Sequence, residues 1–290
     1  MSSIDGAHTG LPLHVETAGI APGPGVETFL LIHGYGASAF SWRHWAPRLA
    51  RRGYVVMVDL KGSGRAPKPD DGRYAPRHQA DLVLRLVVER DLRDLTLVGH
   101  SLGGGVALLT ALGLQDRGDA RLRRLVVVAG AAYEQRLPPA VKLANHPRAS
   151  SRLFRLVGPS RVVRGVLQTI VHDRSTVTEE QVRGYSAPLE ASDAVRALID
   201  SARQMRPEGL ERLIARYPQI DVPTLLLWGR SDRVVPLWVG QRLARDLPRA
   251  RLHVLDACGH LPAEERPEES WAVLESFLDG EGPRSDRVRS

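Results

Sequence analysis

A serine between two glycines is the feature of this chain best suited to chemistry. Gly99, Ser101 and Gly103 have G-x-S-x-G spacing, after an apolar strand-like run and before small and apolar residues that favour a helix. A side chain with a Cβ would collide at either glycine position if the chain turned sharply at the serine. The pattern therefore predicts a nucleophile elbow, a strand-to-helix turn that exposes the Ser101 hydroxyl at the mouth of a site.

An acid and a histidine that could activate Ser101 lie near the end of the chain. A serine hydroxyl is a weak nucleophile at neutral pH, so it needs a base within hydrogen-bonding distance and a carboxylate that orients the base. Asp232 follows an apolar run that ends at Trp228, and His260 comes shortly after the next such run. The carboxyl ends of parallel strands meet at one edge of a sheet. We therefore expect Asp232, His260 and Ser101 to form a catalytic triad.

The elements that must position these residues are strands that alternate with helices. Apolar runs with the length and composition of strands recur along the chain, separated mostly by helical spacing. These runs are residues 11–17, 28–32, 54–59, 94–98, 124–129, 223–228 and 251–256. The alternation predicts an α/β fold with a mostly parallel, doubly wound sheet.

One long segment interrupts this rhythm. Residues 132–218 lack a convincing strand, and their apolar residues have helical spacing. Prolines divide the segment into short pieces at Pro138, Pro147, Pro159, Pro188 and Pro207. We predict a helical lid here, inserted between core residues 11–131 and 219–279. The charged tail, residues 280–290, is predicted to be disordered.

Five motifs, in this order, resemble those of the α/β-hydrolase superfamily in its lid-bearing, single-domain branch. They are HGYG from His33, DLKGSGR from Asp59, GHSLGG from Gly99, GRSD from Gly229 and GH from Gly259. The chain order serine, acid, histidine is also the order of that superfamily. The resemblance covers about residues 11–279. It implies an eight-stranded, mostly parallel sheet, a helical lid after the sixth strand and a serine triad.

Carried onto this chain, the resemblance assigns a role to each member of the site. It implies that Ser101 is the nucleophile, His260 the general base and then acid, and Asp232 the orienting carboxylate. The backbone N–H groups of Tyr35 and Leu102 would form the oxyanion hole that stabilises an anionic intermediate. The glycines beside Tyr35 would let the backbone approach the reacting carbonyl.

The implied reaction is cleavage of a carboxylic ester, thioester or lactone through an acyl-serine intermediate, with a small-molecule acyl substrate and water. Haloalkane dehalogenases and epoxide hydrolases of the superfamily carry an aspartate at the elbow, so Ser101 argues against both. Carbon–carbon bond hydrolases, some acyltransferases and perhydrolases keep the serine triad and are alternatives. A binding or receptor module with little turnover is an alternative from another class, although the intact motifs favour catalysis.

Specificity is expected to reside in the predicted lid. The candidate substrate-binding residues are Tyr133, Phe154, Val163, Leu167 and Tyr185. For each of them, packing between lid and core is the alternative interpretation.

Other polar residues near the motifs are expected to have structural roles. His33 and His100 are interpreted as residues that brace loops, and Asp59 as a cap for the glycine-rich turn that follows it. Glu264 and Glu265 come shortly after the candidate base and are expected to face solvent at the start of the last helix.

Composition argues against several other classes of protein. The 290 residues carry a net charge of +7, but the arginines are spread along the chain without a compact basic tract, so we expect no nucleic-acid partner. No uninterrupted apolar run approaches the roughly 20 residues of a membrane helix. The single cysteine, Cys258, and a start without a secretory pattern favour the cytoplasm. No cluster has metal-ligand spacing, so we expect no metal and no cofactor. We expect the protein to be a monomer or a homodimer.

Overall fold

One sheet of seven strands organises the computed structural model, which describes residues 10–136, 139–142 and 146–280. The strands are β1 (His14–Gly19), β2 (Thr28–Ile32), β3 (Tyr54–Asp59), β4 (Leu95–His100), β5 (Leu122–Val128), β6 (Thr224–Gly229) and β7 (Ala250–Leu255). Their order across the sheet is β1-β3-β2-β4-β5-β6-β7. Every neighbouring pair is parallel except β1 with β3. The predicted α/β fold with a mostly parallel sheet is confirmed.

Helices surround this sheet. They are α1 (Ala46–Leu49), α2 (Pro76–Glu89), α3 (Leu102–Asp116), α4 (Pro139–Lys142), α5 (Pro147–Val157), α6 (Pro159–Ile170), α7 (Glu179–Ser186), α8 (Ala194–Arg203), α9 (Leu210–Ile214), α10 (Leu237–Asp246), α11 (Pro262–Glu265) and α12 (Pro267–Leu278). Short 3₁₀ helices cover Ala39–Trp42, Arg174–Thr176, Ala187–Glu190 and Tyr217–Gln219. None of the described helices is long and apolar enough to cross a membrane.

Alternate residues of the central strands enter two separate apolar cores. In β2, Leu30 and Ile32 pack in a core with residues of α2, α3 and α10, whereas Phe29 and Leu31 pack in a core with residues of α1 and α12. All residues of β2 are buried. A central parallel strand covered on both faces must be apolar along its whole length, because its successive side chains point to opposite faces. The continuous apolar runs in the sequence have this cause.

The expected count of eight strands is wrong for the described part of the chain, which contains seven. β1 lies at the edge of the sheet and pairs with β3 along all six of its residues. Most β1 side chains are only partly buried, as expected for an edge strand. No described strand precedes it, so the long helical segment follows the fifth strand rather than the sixth.

Every regular element described between β5 and β6 is a helix. Pro147 and Pro159 stand in the first turns of α5 and α6, where a missing N–H costs nothing. Gly158 separates these two helices at a φ of 85°, a conformation that favours glycine. Pro147 and Pro159 therefore begin short helices, as predicted, and Pro188 lies in a 3₁₀ helix, but Pro207 begins none. Pro138 lies outside the described residues. The tail predicted to be disordered lies outside the described residues except for Gly280.

Two helical glycines provide a matched test of how closely α3 packs. A Cβ on Gly104 would lie 2.7 Å from the Gly130 Cα, whereas a Cβ on Gly165 in α6 would meet no heavy atom within 4 Å. We expect G165A to raise the free energy of unfolding by about 0.5–1 kcal/mol, because alanine loses less backbone entropy in a helix. We expect G104A to lower it by about 1–3 kcal/mol, because the backbone must shift. Urea denaturation measures both, and equal stabilities would contradict this packing.

Candidate active site

Ser101 occupies a strained turn between β4 and α3. Its φ of 53° and ψ of −118° lie in a region that L-residues rarely adopt, at a cost of about 1–3 kcal/mol. A Cβ on Gly99 would lie 2.2 Å from the Gly103 carbonyl oxygen, and a Cβ on Gly103 would lie 2.3 Å from the Ile32 carbonyl oxygen. Backbone segments meet here at distances that only glycine permits. The turn therefore has the close contacts that the glycine spacing predicts.

His260 connects Ser101 to Asp232 through two hydrogen bonds. Its Nε2 lies 2.9 Å from the Ser101 Oγ, and its Nδ1 lies 2.8 Å from Asp232 Oδ2. An ionised carboxylate only accepts hydrogen bonds, so Nδ1 carries the proton and Nε2 is free to accept the serine proton. The other carboxylate oxygen, Asp232 Oδ1, accepts the N–H groups of Val234 at 2.8 Å and Val235 at 2.9 Å. The arrangement can remove a proton from Ser101 and return it.

Three different strands deliver these side chains to one edge of the sheet. Ser101 follows β4, Asp232 follows β6 and His260 follows β7, and these strands are parallel. All three residues are buried, with Ser101 9% exposed. Burial strengthens each hydrogen bond by excluding water. The structure thus brings together the three residues that the sequence selected.

The backbone N–H groups of Tyr35 and Leu102 stand beside Ser101. Within the described residues, neither the Tyr35 nor the Leu102 N–H donates to a protein atom. Leu102 is the first residue of α3, where N–H groups have no partner inside the helix. A Cβ on Gly34 would lie 3.1 Å from the Ser101 Cβ, so Tyr35 follows a close backbone approach. The Tyr35 hydroxyl donates to the Leu198 carbonyl at 3.1 Å. These two donors suit an anionic oxygen.

Two buried histidines brace the surrounding loops. His100 donates from Nε2 to the His260 carbonyl at 2.8 Å. Burial, with a smaller effect of the neighbouring His260, lowers the pKa of His100 to about 3. His33 accepts the Leu60 N–H at 3.0 Å and donates to the Gly34 carbonyl at 2.7 Å, and burial lowers its pKa as well. Both rings are therefore neutral at neutral pH, and their hydrogen bonds to the backbone hold the neighbouring loops in place.

The glycine-rich loop after β3 closes around a carboxylate of the protein itself. Asp59 accepts the N–H groups of Ala39 at 2.6 Å and Arg65 at 2.8 Å. A Cβ on Gly64 would lie 2.1 Å from Asp59 Oδ2. Asp59 therefore caps the turn, as the sequence suggested. Within the described ranges, no group of three His, Cys, Asp or Glu side chains could hold a metal ion.

The expectation that Glu264 and Glu265 face solvent is wrong. The Glu264 side chain is only 3% exposed and binds Arg43 Nη2 at 2.7 Å, Gln181 Nε2 at 3.0 Å and the Tyr185 hydroxyl. Glu265 accepts backbone N–H groups beside His260. The short helix α11 folds these residues against the site. Nothing in their local spacing reveals partners that are distant in sequence.

A cavity of about 240 Å³ is lined by Leu102, the residue that follows Ser101 in the chain, whereas Ser101 itself does not line it. Among the predicted substrate-binding residues, Tyr133 lines this cavity, and its hydroxyl donates to Asp246 at 2.7 Å. Further lining residues are Leu109, Met205, Leu210, Leu213 and Tyr217. Sequence reasoning missed these, because helical spacing alone does not distinguish a side chain facing a cavity from one in the core.

The other predicted substrate-binding residues lie elsewhere. Val163, Leu167 and Tyr185 pack in an apolar cluster with Leu261, the residue after His260. Phe154 is half-buried on α5 and is not among the residues that line the 240 Å³ cavity. Helices α6 and α7 therefore cover the histidine loop by direct packing.

The chain matches the model of the Alpha/beta hydrolase family over residues 29–273, and it belongs to that family. It is 31% identical to the uncharacterized hydrolase YugF of Bacillus subtilis (strain 168), over 84% of this chain and 87% of that protein. It is also 31% identical to a 2-hydroxy-6-oxononadienedioate/2-hydroxy-6-oxononatrienedioate hydrolase of Paraburkholderia phymatum, over 88% of each chain. An alpha/beta hydrolase fold protein from Burkholderia ambifaria superimposes with a TM-score of 0.80 and 27% identity, covering 96% of this chain and 99% of that one.

Burial of His100 makes stability depend on pH. Its pKa is about 3 in the folded protein against 6.5 ordinarily, so the unfolded chain binds more protons between these values. The contribution of His100 to the free energy of unfolding therefore falls as the pH drops below about 6.5. Glutamine at this position retains an N–H donor but cannot be protonated. We expect H100Q to lessen the fall between pH 7 and pH 5 by up to about 1.4 kcal/mol per pH unit. Urea denaturation at both pH values measures this, and parallel declines in both proteins would contradict it.

Proposed function

We propose that this protein is a serine hydrolase that cleaves a carboxylic ester, thioester or lactone through an acyl-serine intermediate at Ser101. The observation that best supports this is the hydrogen-bonded path from Ser101 through His260 to Asp232, with distances of 2.9 and 2.8 Å. The free N–H groups of Tyr35 and Leu102 beside this path support the same reaction. Membership of the hydrolase family agrees with it.

In the proposed first half-reaction, Ser101 Oγ attacks the substrate carbonyl while His260 Nε2 takes the hydroxyl proton. Asp232 stabilises the resulting imidazolium and keeps its ring oriented. The Tyr35 and Leu102 N–H groups bind the oxyanion, and each such donor stabilises a transition state by about 2.7–4 kcal/mol. His260 then protonates the leaving group as the carbon–oxygen or carbon–sulfur bond breaks.

The second half-reaction repeats this route with water. His260 removes a proton from water, the hydroxide attacks the acyl carbon, and the proton returns to Ser101 as the acid leaves. The neutral, buried His33 and His100 place no competing positive charge beside this proton transfer. One base therefore serves both steps.

The 240 Å³ cavity supports an uncharged, mainly apolar acyl group. Its volume is below the roughly 300–1,000 Å³ of pockets that bind drug-sized ligands, which favours a short or medium chain. At its rim, Arg206 pairs with Glu134. The Tyr133 hydroxyl is engaged by Asp246. The two charged side chains that line the cavity, Arg206 and Glu134, are thus paired with each other.

Hydrolysis of a carbon–carbon bond is the second candidate function. The relative from Paraburkholderia phymatum is named for dienedioate and trienedioate substrates, and a relative at 27% identity, from Pseudomonas sp. (strain CF600), is a 2-hydroxymuconate semialdehyde hydrolase. The same serine and histidine could serve such a reaction. Arg206 at the rim of the cavity pairs with the exposed Glu134, so a carboxylate substrate would have to replace this partner to bind there.

Substitution of the candidate nucleophile and base tests the proposal. We expect S101A and H260A to lower kcat for short and medium nitrophenyl esters by about 10³-fold or more, because S101A removes the nucleophile and H260A removes the base that activates it. We expect a fluorophosphonate probe to add its mass to the wild-type chain but not to S101A. The matched control is S160A, which removes an exposed serine hydroxyl on α6 and should behave as wild type.

A direct comparison of substrates separates the two candidate functions. We expect kcat/KM for a medium-chain ester to exceed that for a 2-hydroxy-6-oxo-dienedioate. The reverse order, with turnover abolished in S101A, would make carbon–carbon cleavage the function. Folded wild-type protein that neither reacts with the probe nor turns over either substrate would indicate a binding module.

A further inference from the structure

The Glu265 carboxylate lies behind His260 and accepts three backbone N–H groups. Its Oε2 binds the N–H of Gly259 at 2.9 Å and that of His172 at 2.7 Å, and its Oε1 binds the N–H of Leu261 at 2.9 Å. An ionised carboxylate has enough lone pairs to accept all three, and hydrogen bonds to a charged acceptor are stronger than neutral ones. Gly259 and Leu261 flank His260, so the carboxylate binds the backbone on both sides of the candidate base.

The end of α6 holds the same loop from the other side. The His260 N–H donates to the Ile170 carbonyl at 2.9 Å. A Cβ on Gly259 would lie 2.5 Å from that carbonyl oxygen, so the two backbones touch. His172 Nδ1 also lies 3.0 Å from the Ser231 Oγ, next to Asp232. The turn after α6 therefore contacts both loops that carry the candidate base and its orienting acid.

These contacts satisfy three consecutive N–H groups around the imidazole. Gly259 and Leu261 donate to Glu265, and His260 donates to Ile170. The position of the ring relative to Ser101 depends on this backbone, because the side chain has only two rotatable bonds beyond it. A shift of about 1 Å in a reacting group can reduce a rate about 100-fold.

We propose that Glu265 is a positioning residue that aligns His260 with Ser101. Through its hydrogen bond to the His172 N–H, it also couples this alignment to the position of the turn after α6, residues 171–173. It acts through backbone N–H groups and does not touch the substrate. The contribution to turnover rests on the proposed function, whereas the alignment itself is a property of the structure. The neighbouring Glu264 binds different partners, Arg43 and α7, so the positioning role belongs to Glu265.

The variant E265Q tests this role with almost no change in volume. The amide replaces one acceptor oxygen by an NH₂ donor, so in either orientation at least one of the three backbone N–H groups faces a donor. We expect kcat for a nitrophenyl ester to fall about 10- to 100-fold, with KM changed less than about two-fold, because binding contacts are untouched. The rate of fluorophosphonate labelling should fall in proportion. In crystal structures of wild type and variant, we expect the distance from His260 Nε2 to Ser101 Oγ to lengthen beyond hydrogen-bonding range in E265Q.

Two control variants separate positioning from general loss of stability. E268Q makes the same chemical change at an exposed position, whose side chain is 79% exposed. S270A removes the buried hydrogen bond that Trp45 Nε1 donates at 3.2 Å, away from the candidate site. We expect S270A to be destabilised by about 1 kcal/mol and both controls to retain wild-type kcat.

Several outcomes would overturn the proposal. Turnover of E265Q equal to that of E268Q would do so, as would an unchanged distance between His260 and Ser101 in the variant. If S270A and E265Q are equally stable and lose the same kcat, general destabilisation of the fold is sufficient to explain the loss of activity. If wild-type protein hydrolyses no ester and resists the probe, the proposed function fails, and the crystallographic distance alone decides whether Glu265 positions His260.

Discussion

The turn at Ser101 is the constraint on which the rest of this structure depends. A residue with φ of 53° stores strain, and the surrounding backbone must hold it in place. Its N–H donates to the Val128 carbonyl at 2.9 Å, and its carbonyl accepts the N–H groups of Gly104 and Ala131, each at 2.9 Å. Close contacts between glycine backbones on either side leave no space for relaxation. The strained turn is therefore a consequence of how β4, β5 and α3 pack.

Backbone N–H groups hold the charged and titratable groups around this turn. Asp232 accepts two such groups in its own loop, and Glu265 accepts three around the next loop. Fixed dipoles of this kind need little rearrangement when charge develops during a reaction, which is the physical basis of electrostatic preorganisation. The buried His33 and His100 contribute geometry without charge, since burial depresses the pKa of both.

The helical segment between β5 and β6 is part of the candidate site as well as a cover for it. Its side chains Val163, Leu167 and Tyr185 pack on Leu261, and its backbone at Ile170 and His172 bonds the histidine loop and Glu265. A cover held by packing alone could slide, because apolar contacts have no direction. Hydrogen bonds to fixed N–H and C=O groups specify one position. Loss of the docked segment would therefore disturb the histidine and not only expose it to water.

The sequence by itself determined those features that depend on local backbone sterics and on the order of elements. The glycines around Ser101 revealed the sharp turn, and the continuous apolar runs revealed buried parallel strands. The ends of those strands placed Asp232 and His260 at the same edge, because parallel strands share their carboxyl ends. Half of the cap at Asp59 was equally local, since Arg65 lies in the turn that follows it, whereas its other partner, the Ala39 N–H, comes from a distant segment.

Only the tertiary structure decided the features that depend on contacts between distant segments. The sheet of the described chain has seven strands, and β1 forms its edge beside β3. Glu264 accepts a hydrogen bond from α7, and Glu265 accepts one from the turn after α6. The spacing of residues near position 264 does not reveal these distant partners. The same holds for Tyr133, which lines a cavity, whereas Val163, Leu167 and Tyr185 pack in a cluster with Leu261. Which helical face meets a void and which meets a neighbour is settled by three-dimensional packing, because both require the same apolar side chains.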